Sequence, residues 1–376
     1  MPTKSSHNRV DVALKKKSMD MPFFYTTLGL FVIGLIILSS ASMAVAYKNH
    51  GSIAYYTLRQ IAGGGLVGLI AFAVCQWIPY RVWRKFAVPL MALAFILTAF
   101  IFLPQLSYSA GGATRWLNLG FFSLQPSEIL KIGFIVYLAS WLDARRKDIR
   151  SIAYGAMPFI LMVSIIGVFL MMQKDMGTFG VIVATAVILY FVGGGKKSQI
   201  AAMVVLVLIA GYLLIQMSPY RLARVATFLD PTNDPRGQAY HINQALIAIG
   251  TGGFSGRGFG QSIQKYNYLP EPMTDSIFAV FAEEMGFIGI SALIALFGFF
   301  FWRSITIAKH APDAFGRLLA SGLAGCIMSQ ALINMAAISG VLPLTGITLP
   351  FVSLGGTSLV VSMGMAGMIL NISKHT

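Results

Sequence analysis

Carboxylates are scarce in this chain, so their positions are informative: 13 Asp and Glu serve 376 residues. Asp275 closes the run Leu269-Pro-Glu-Pro-Met-Thr274 and opens an apolar stretch. A carboxylate there has two compatible uses. It can cap a helix N-terminus, a role Asp favours and the helix dipole rewards. It can also accept a proton from a bound hydroxyl as a general base. Glu283 and Glu284 follow about 12 Å further along the same helix at 1.5 Å per residue. At that depth they either pair with a cation from a neighbouring segment, as structural groups, or line a polar cavity. Glu128 and Lys131 stand i, i+3 at a helix start led by Pro126, which places a fixed cation at that helix end. Lys174-Asp175 cap a short hairpin, and Arg115-Trp116 form an interfacial anchor or an anion ligand. Asp230, Asp234 and Glu271 complete the acids on this side of the chain.

Around these groups lies a long connection, residues 218–275. Leu222, Val225, Ala226 and Leu229 recur at i, i+3, i+4, i+7, and Ile242, Ala245, Leu246 and Ile249 repeat that spacing. Two short amphipathic helices lying on a membrane surface follow from the pattern. They would form the rim of a site. Next comes Gly250-Thr-Gly-Gly-Phe-Ser-Gly-Arg-Gly-Phe-Gly260. It lacks both the spacing and the strand–helix context of a dinucleotide loop. Two readings remain: a turn-rich connector, or exposed amides that approach a phosphate with Arg257 beside them. His7, His50, His241, His310 and His375 are scattered, which argues against zinc. Cys75 and Cys326 sit in apolar runs and offer no disulfide framework.

The elements that must position these residues are membrane helices. Hydrophobic residues make up 56% of the chain and charged ones 11%, against about 25% charged in soluble domains. Stretches of the length a bilayer requires occur at 21–47, 60–80, 86–114, 126–142, 151–173, 176–195, 198–220, 285–302 and 318–373. Gly340, Pro343 and Pro350 divide the last into two, for ten spans in an all-α polytopic protein. Summed over alternate loops, most of the 28 Lys and Arg fall on the side of the N-terminus. Both termini are therefore expected in the cytoplasm, with the large loop between helices 7 and 8 outside. The excess of +15 is accounted for by topology and anionic lipid, with no nucleic-acid partner required. The expected organisation is a cytoplasmic tail, 1–20, and a single ten-helix domain, 21–373, whose first span is retained rather than cleaved.

Several segments together resemble the SEDS family of peptidoglycan polymerases, the FtsW/RodA/SpoVE group. They are Ser39-Ser-Ala-Ser42, Gly112-Ala-Thr-Arg-Trp116, Gln125-Pro-Ser-Glu-Ile-Leu-Lys131 and Lys174-Asp-Met-Gly-Thr178. The long loop adds Gly237 to Gly253 and Tyr268 to Ala279; Glu283-Glu284-Met-Gly286 and Leu349 to Thr357 close the set. Asp230-Pro-Thr-Asn-Asp-Pro and Gln264-Lys-Tyr-Asn-Tyr-Leu-Pro-Glu look most like FtsW, the division member. Two positions depart from the family pattern. Met273 and Ser276 flank Thr274-Asp275 where the family has His and Phe, and Lys174 replaces a Pro before Asp175.

The resemblance implies polymerisation of lipid II into β-1,4-linked glycan at the outer face of the bacterial cytoplasmic membrane, at the division septum. It implies inversion at the donor sugar and release of undecaprenyl pyrophosphate. Asp275 falls on the family's catalytic Asp. Arg59, Arg115 and Lys131, with Asp175 organising them, would meet the pyrophosphate, and Glu128, Thr274 and Arg257 join the expected substrate-contact set. A divalent metal, Mg2+ or Mn2+, is expected and no organic cofactor. Expected partners are lipid II, the nascent strand, a class B penicillin-binding protein of the FtsI type and divisome membrane proteins. Competing roles are a lipid II flippase, an elongation polymerase of the RodA type, and a non-catalytic scaffold for the transpeptidase.

Overall fold

The computed structural model of this protein describes residues 19–103, 105–110, 113–118, 120, 123–230, 237 and 239–376. Residues 1–18 of the expected 1–20 tail, Gly112 and Asp234 lie outside the described residues. The apolar runs form helices because only a helix satisfies its whole backbone within one segment in hydrocarbon. In chain order these are α1 Met21–His50, α2 Tyr55–Arg59, α3 Leu66–Trp77, α4 Tyr80–Lys85 and α5 Ala87–Ala99. After strands β1 Ser107–Ala110, β2 Ala113–Asn118 and β3 Ser123–Leu124 come α6 Pro126–Ala144, α7 Met157–Met172, α8 Met176–Val192 and α9 Lys197–Gln216. Then follow α10 Pro219–Leu229, α11 Tyr240–Gly252, α12 Ile277–Lys309, α13 Ala314–Ile338 and α14 Gly356–Ser373.

Among the described residues, seven segments are long and apolar enough to cross a membrane: Met21–His50, Tyr55–Trp77, Ile152–Met172, Lys197–Gln216, Ile277–Lys309, Ala314–Ile338 and Gly356–Ser373. The chain is an integral membrane protein. The shorter α5 and α8, and α6, which carries Glu128, Lys131 and Asp143, stand at the positions of the other three expected spans. Helices α13 and α14 are 83% and 89% buried against 6% for α9, so the first two form the centre of the bundle and α9 its margin. Small residues allow that centre to close. A Cβ on Gly367 of α14, for example, would collide with the Phe72 carbonyl of α3.

Two expectations about the elements are corrected. The stretch 86–114 is not one span: its helix stops at Ala99, and the chain turns into a three-stranded antiparallel sheet of order β1-β2-β3. Ser107 stands opposite Leu117, and Leu117 opposite Leu124. The architecture is therefore helical with one small sheet rather than all-α. A short apolar run cannot be told from a helix segment by periodicity, and the absence of charge concealed the change. Nor does Asp275 cap α12, because the residue at that position is Ser276.

The Asp20 amide donates to the Ser373 hydroxyl at 3.2 Å, and Arg303 near the far end of α12 ion-pairs with Asp20. The start of α1, the end of α14 and the end of α12 thus share one face. Amphipathic α10 and α11, which bear out the expected pair, gather with the first turn of α12 at the opposite face.

Candidate functional site

The site forms where four elements converge on Asp275. The segment 271–276 is non-helical, and each of its last three residues is held by a different neighbour. Ser353 donates its hydroxyl to the Thr274 carbonyl. Asn334 of α13 donates to the Asp275 carbonyl at 2.9 Å and to that of Ile347 at 2.7 Å. The Ser276 hydroxyl meets His241 of α11 at 2.6 Å. Backbone held this way costs little further ordering when a ligand arrives.

The Asp275 carboxylate is half-buried. Burial pushes it up from 3.8 to about 7; the nearby Glu271 charge adds to the rise, while the Thr274 hydroxyl and Arg224 oppose it. Thr274 bridges the two acids, its hydroxyl lying 2.7 Å from Glu271 Oε2 and 3.4 Å from Asp275 Oδ1. A carboxylate near neutrality is matched to proton abstraction at cellular pH.

Facing it is Arg115 of β2. A Cβ built on Gly346 would lie 3.8 Å from Arg115 Nη1 and 3.8 Å from Asp275 Oδ2, so both groups look onto one gap. Arg115 is aimed by the N-terminus of α8: it donates to the Lys174 carbonyl, and its Nε lies 4.0 Å from Asp175 Oδ1. Asp175 caps α8 by accepting from the Thr178 amide at 3.3 Å, as expected of the hairpin, and also accepts from the Ser127 hydroxyl at 3.3 Å.

Other expected residues fall elsewhere. Lys131 is 2% exposed, not a cation at the rim: it lies 2.7 Å from Glu128 and donates to Gln330 of α13. Gln330 in turn donates to the Thr348 carbonyl at 3.0 Å. This buried pair supports the segment carrying Gly346. Arg59, at the end of α2, is exposed; its neighbour Gln60 reaches the Ser353 carbonyl at 3.3 Å. Arg257 is 3.2 Å from Glu283, eight residues along the chain from Asp275, and does not join the Asp275–Arg115 gap.

The glycine-rich loop has a use neither reading foresaw: it splices into a broken helix. Gly286, at φ 60, interrupts α12. The Arg257 and Gly258 amides take the Glu283 and Glu284 carbonyls at 3.0 and 2.9 Å, while Phe287 and Ile288 donate to the Gly253 and Phe254 carbonyls at 2.9 and 3.2 Å. Those amides are committed to protein and cannot cradle a phosphate. The carboxylates beneath are a structural set: Lys265, wholly buried, lies 2.8 Å from Glu284, which also accepts from Ser40 of α1 at 2.6 Å.

Residues missed in the sequence include His241, Asn334, Gln330, Ser353 and Lys265. His241, Lys265 and Ser353 lie in segments that carry the family resemblance, but only the convergence in space of all five gives each a role. Gln173, beside Lys174, is 2% exposed with neither side-chain polar atom hydrogen-bonded, and Asn334 Oδ1 is likewise unpaired among the described residues. Buried unpaired polar atoms at a cleft are suited to a polar ligand or water. Among the described residues no three His, Cys, Asp or Glu converge into a metal-ligating group.

These features define a polytopic helical membrane protein with polar groups gathered at the face opposite the start of α1 and the end of α14, where a carboxylate and a guanidinium flank Gly346. The chain belongs to the FtsW/RodA/SpoVE family of cell cycle proteins, whose model matches residues 21–376. It is 39% identical over 362 residues to stage V sporulation protein E of Bacillus subtilis strain 168, covering 96% of this chain and 99% of that one. It is 38% identical over 356 residues to "Probable peptidoglycan glycosyltransferase FtsW" of Geobacter sp. strain M18, covering 95% and 97%. Among solved structures, one described as "Structural coordination of polymerization and crosslinking by a peptidoglycan synthase complex" matches with TM-score 0.77 at 26% identity, covering 95% of this chain and 98% of that one. The rod shape determining protein RodA of Thermus thermophilus matches with TM-score 0.69 at 26% identity, covering 95% and 97%.

Proposed function

We propose that this chain is an inverting peptidoglycan glycosyltransferase that polymerises lipid II at the outer face of the cytoplasmic membrane. The reading rests on one observation: Asp275, a carboxylate near neutrality, and the cation Arg115 flank a single gap at Gly346. In the proposed step Asp275 accepts the proton of the acceptor sugar's 4-hydroxyl. The oxygen attacks C1 of the donor from the face opposite the leaving group. The C1–O bond to undecaprenyl pyrophosphate breaks, and the electron pair leaves on the pyrophosphate oxygen. Arg115, held by Asp175 and the Lys174 carbonyl, stabilises that charge as it develops. Lys131 and Glu128 act from behind, as support. A Mg2+ or Mn2+ ion arriving with the substrate would add positive charge beside the departing pyrophosphate.

The name FtsW among the relatives supports a septal role over an elongation role of the RodA type. The synthase-complex neighbour supports pairing with a class B penicillin-binding protein of the FtsI type within the divisome. Flipping of lipid II would draw on carboxylates deeper in the bundle, but Glu283 and Glu284 are closed off by Arg257, Lys265 and Ser40. The deciding experiment supplies the purified chain and its transpeptidase partner with lipid II and a divalent ion, comparing wild type with Asp275→Asn. Glycan ladders from wild type alone are expected. Equal ladders from both proteins would overturn the assignment of Asp275, and ladders from neither would favour a flippase or a scaffold.

A further inference from the structure

Among the three neighbours that pin 274–276, the one on α11 has a feature the others lack. Ser276 is wholly buried and occupies the N-cap of α12. A serine there ordinarily turns its hydroxyl onto an amide of the first helical turn. Here no such bond is made, and the hydroxyl is directed instead at His241 Nε2, 2.6 Å away. The helix has given up its local cap for a link to a separate element, and that link ends on the residue bonded directly to Asp275.

Helix α11 does not need this link for its seat. Its Ile242, Ala245 and Ala248 are buried, and its Gly252 lies so close to α12 that an added Cβ would collide with the Ala282 carbonyl. The polar link therefore has work other than holding the helix. The charged groups acting on His241 are Glu271, which favours its charged form, and Arg224 of α10, which opposes it; burial acts with Arg224 and holds the ring below the usual histidine range. His241 is thus a neutral partner for the serine at cellular pH.

We propose that His241 is a positioning residue: through the Ser276 hydroxyl it fixes the orientation of the Asp275 carboxylate, so that the loop helix α11 is mechanically part of the active site. The inference rests on Asp275 being the base. Displacing a reacting group by about 1 Å can cost about 100-fold in rate, and loss of a single tether is expected to cost less.

The test compares steady-state polymerisation by the full chain with its transpeptidase partner for wild type, His241→Ala, His241→Gln, Ser276→Ala and the double His241→Ala/Ser276→Ala. Removing either partner is expected to lower kcat about tenfold with KM within about twofold. Because both act through one bond, the double variant should be no slower than the slower single. His241→Gln retains a neutral hydrogen-bonding group at the reach of Nε2 and should restore most of kcat. The thermal midpoint of His241→Ala should stay near wild type. Unchanged kcat, multiplying effects in the double, or no rescue by Gln would overturn the proposal. Asp275→Asn run alongside separates the two claims. If it retains activity, the base assignment fails, and the His241–Ser276 coupling then reports on the tether alone.

Discussion

Arg115 and Asp275 face each other across the bare backbone of Gly346, each 3.8 Å from the point where a side chain on that glycine would begin. Gly346 also has φ +66, a conformation costly for residues with a Cβ. Gly346→Ala is therefore expected to do two things. It should cost about 1–2 kcal/mol of stability through the backbone, and it should place a methyl in the gap where the proposed reaction brings acceptor and donor together. Polymerisation should fall by at least about tenfold while the protein remains folded; glycan ladders and a thermal melt of the purified protein check both. A variant as active as wild type would show that substrate does not enter this gap.

Burial sets the pH behaviour of the proposed base. Asp275 titrates at about 7 in the fold against an ordinary 3.8, and only its ionised form accepts a proton. Activity should rise with pH through about 7 and level off above it. The stability consequence has the opposite sign. Between the unfolded and folded values the unfolded chain is ionised while the folded site is neutral, so stability is lost as pH climbs toward about 7 and is then steady. Asp275→Asn removes that penalty. Its melting temperature should exceed that of wild type, by a margin that grows from pH 5 to pH 7 and stays constant beyond. A variant no more stable at pH 8 than wild type would mean that Asp275 is better solvated than its surroundings indicate.

Much of this arrangement was legible in the sequence, and the failures have identifiable causes. Amphipathic spacing placed α10 and α11 correctly, because a helix on a surface must show its period. The Asp175 cap and the burial of Glu283 and Glu284 followed from residue type and depth. Strand β1 and the start of β2 were hidden because they share a charge-free run with α5, and hydropathy reports burial rather than backbone shape. Lys131 was misplaced for a related reason: the i, i+3 spacing gave its pairing with Glu128, but its burial depends on Gln330, which arrives from α13. Lys265 and His241 lie in segments that carry the family resemblance, but nothing in their local spacing reveals a role. Each matters only through a partner on another element, Glu284 or Ser276.

The Lys265–Glu284 pair makes a stability prediction independent of chemistry. Both side chains are buried, at 0% and 3% exposure, and Ser40 donates to the same carboxylate. Removing one member leaves the other charge unpaired, at a typical cost of about 3–5 kcal/mol. Lys265→Met is expected to lower the melting temperature sharply and reduce the yield of folded protein. The double Lys265→Met/Glu284→Leu should recover most of the loss, because an apolar pair carries no uncompensated charge. A double variant as unstable as the single would mean that the hydrogen bonds to Ser40 and the loop, rather than the charge balance, hold the carboxylate in place.

Helix α12 is broken at Gly286 and repaired from outside. The loop at 253–258 supplies two carbonyls to the Phe287 and Ile288 amides and two amides to the Glu283 and Glu284 carbonyls. A Cβ on Gly286 would meet the Gly256 amide nitrogen, and φ 60 is itself unfavourable for alanine. Gly286→Ala must then either carry about 1–2 kcal/mol of backbone strain or straighten the helix and expel the loop. Expulsion would leave Glu283 and Glu284 without Arg257 and Lys265. Gly298, a helical position with nothing within 4 Å of an added Cβ, is the matched control, where alanine should be neutral or stabilising by up to about 1 kcal/mol. Thermal melts should separate the two variants. Hydrogen exchange at the Arg257 and Gly258 amides should accelerate only in Gly286→Ala. Equal melts and unchanged exchange would show that the break in α12 is tolerated rather than required, and that the loop keeps its place by side-chain ion pairs alone.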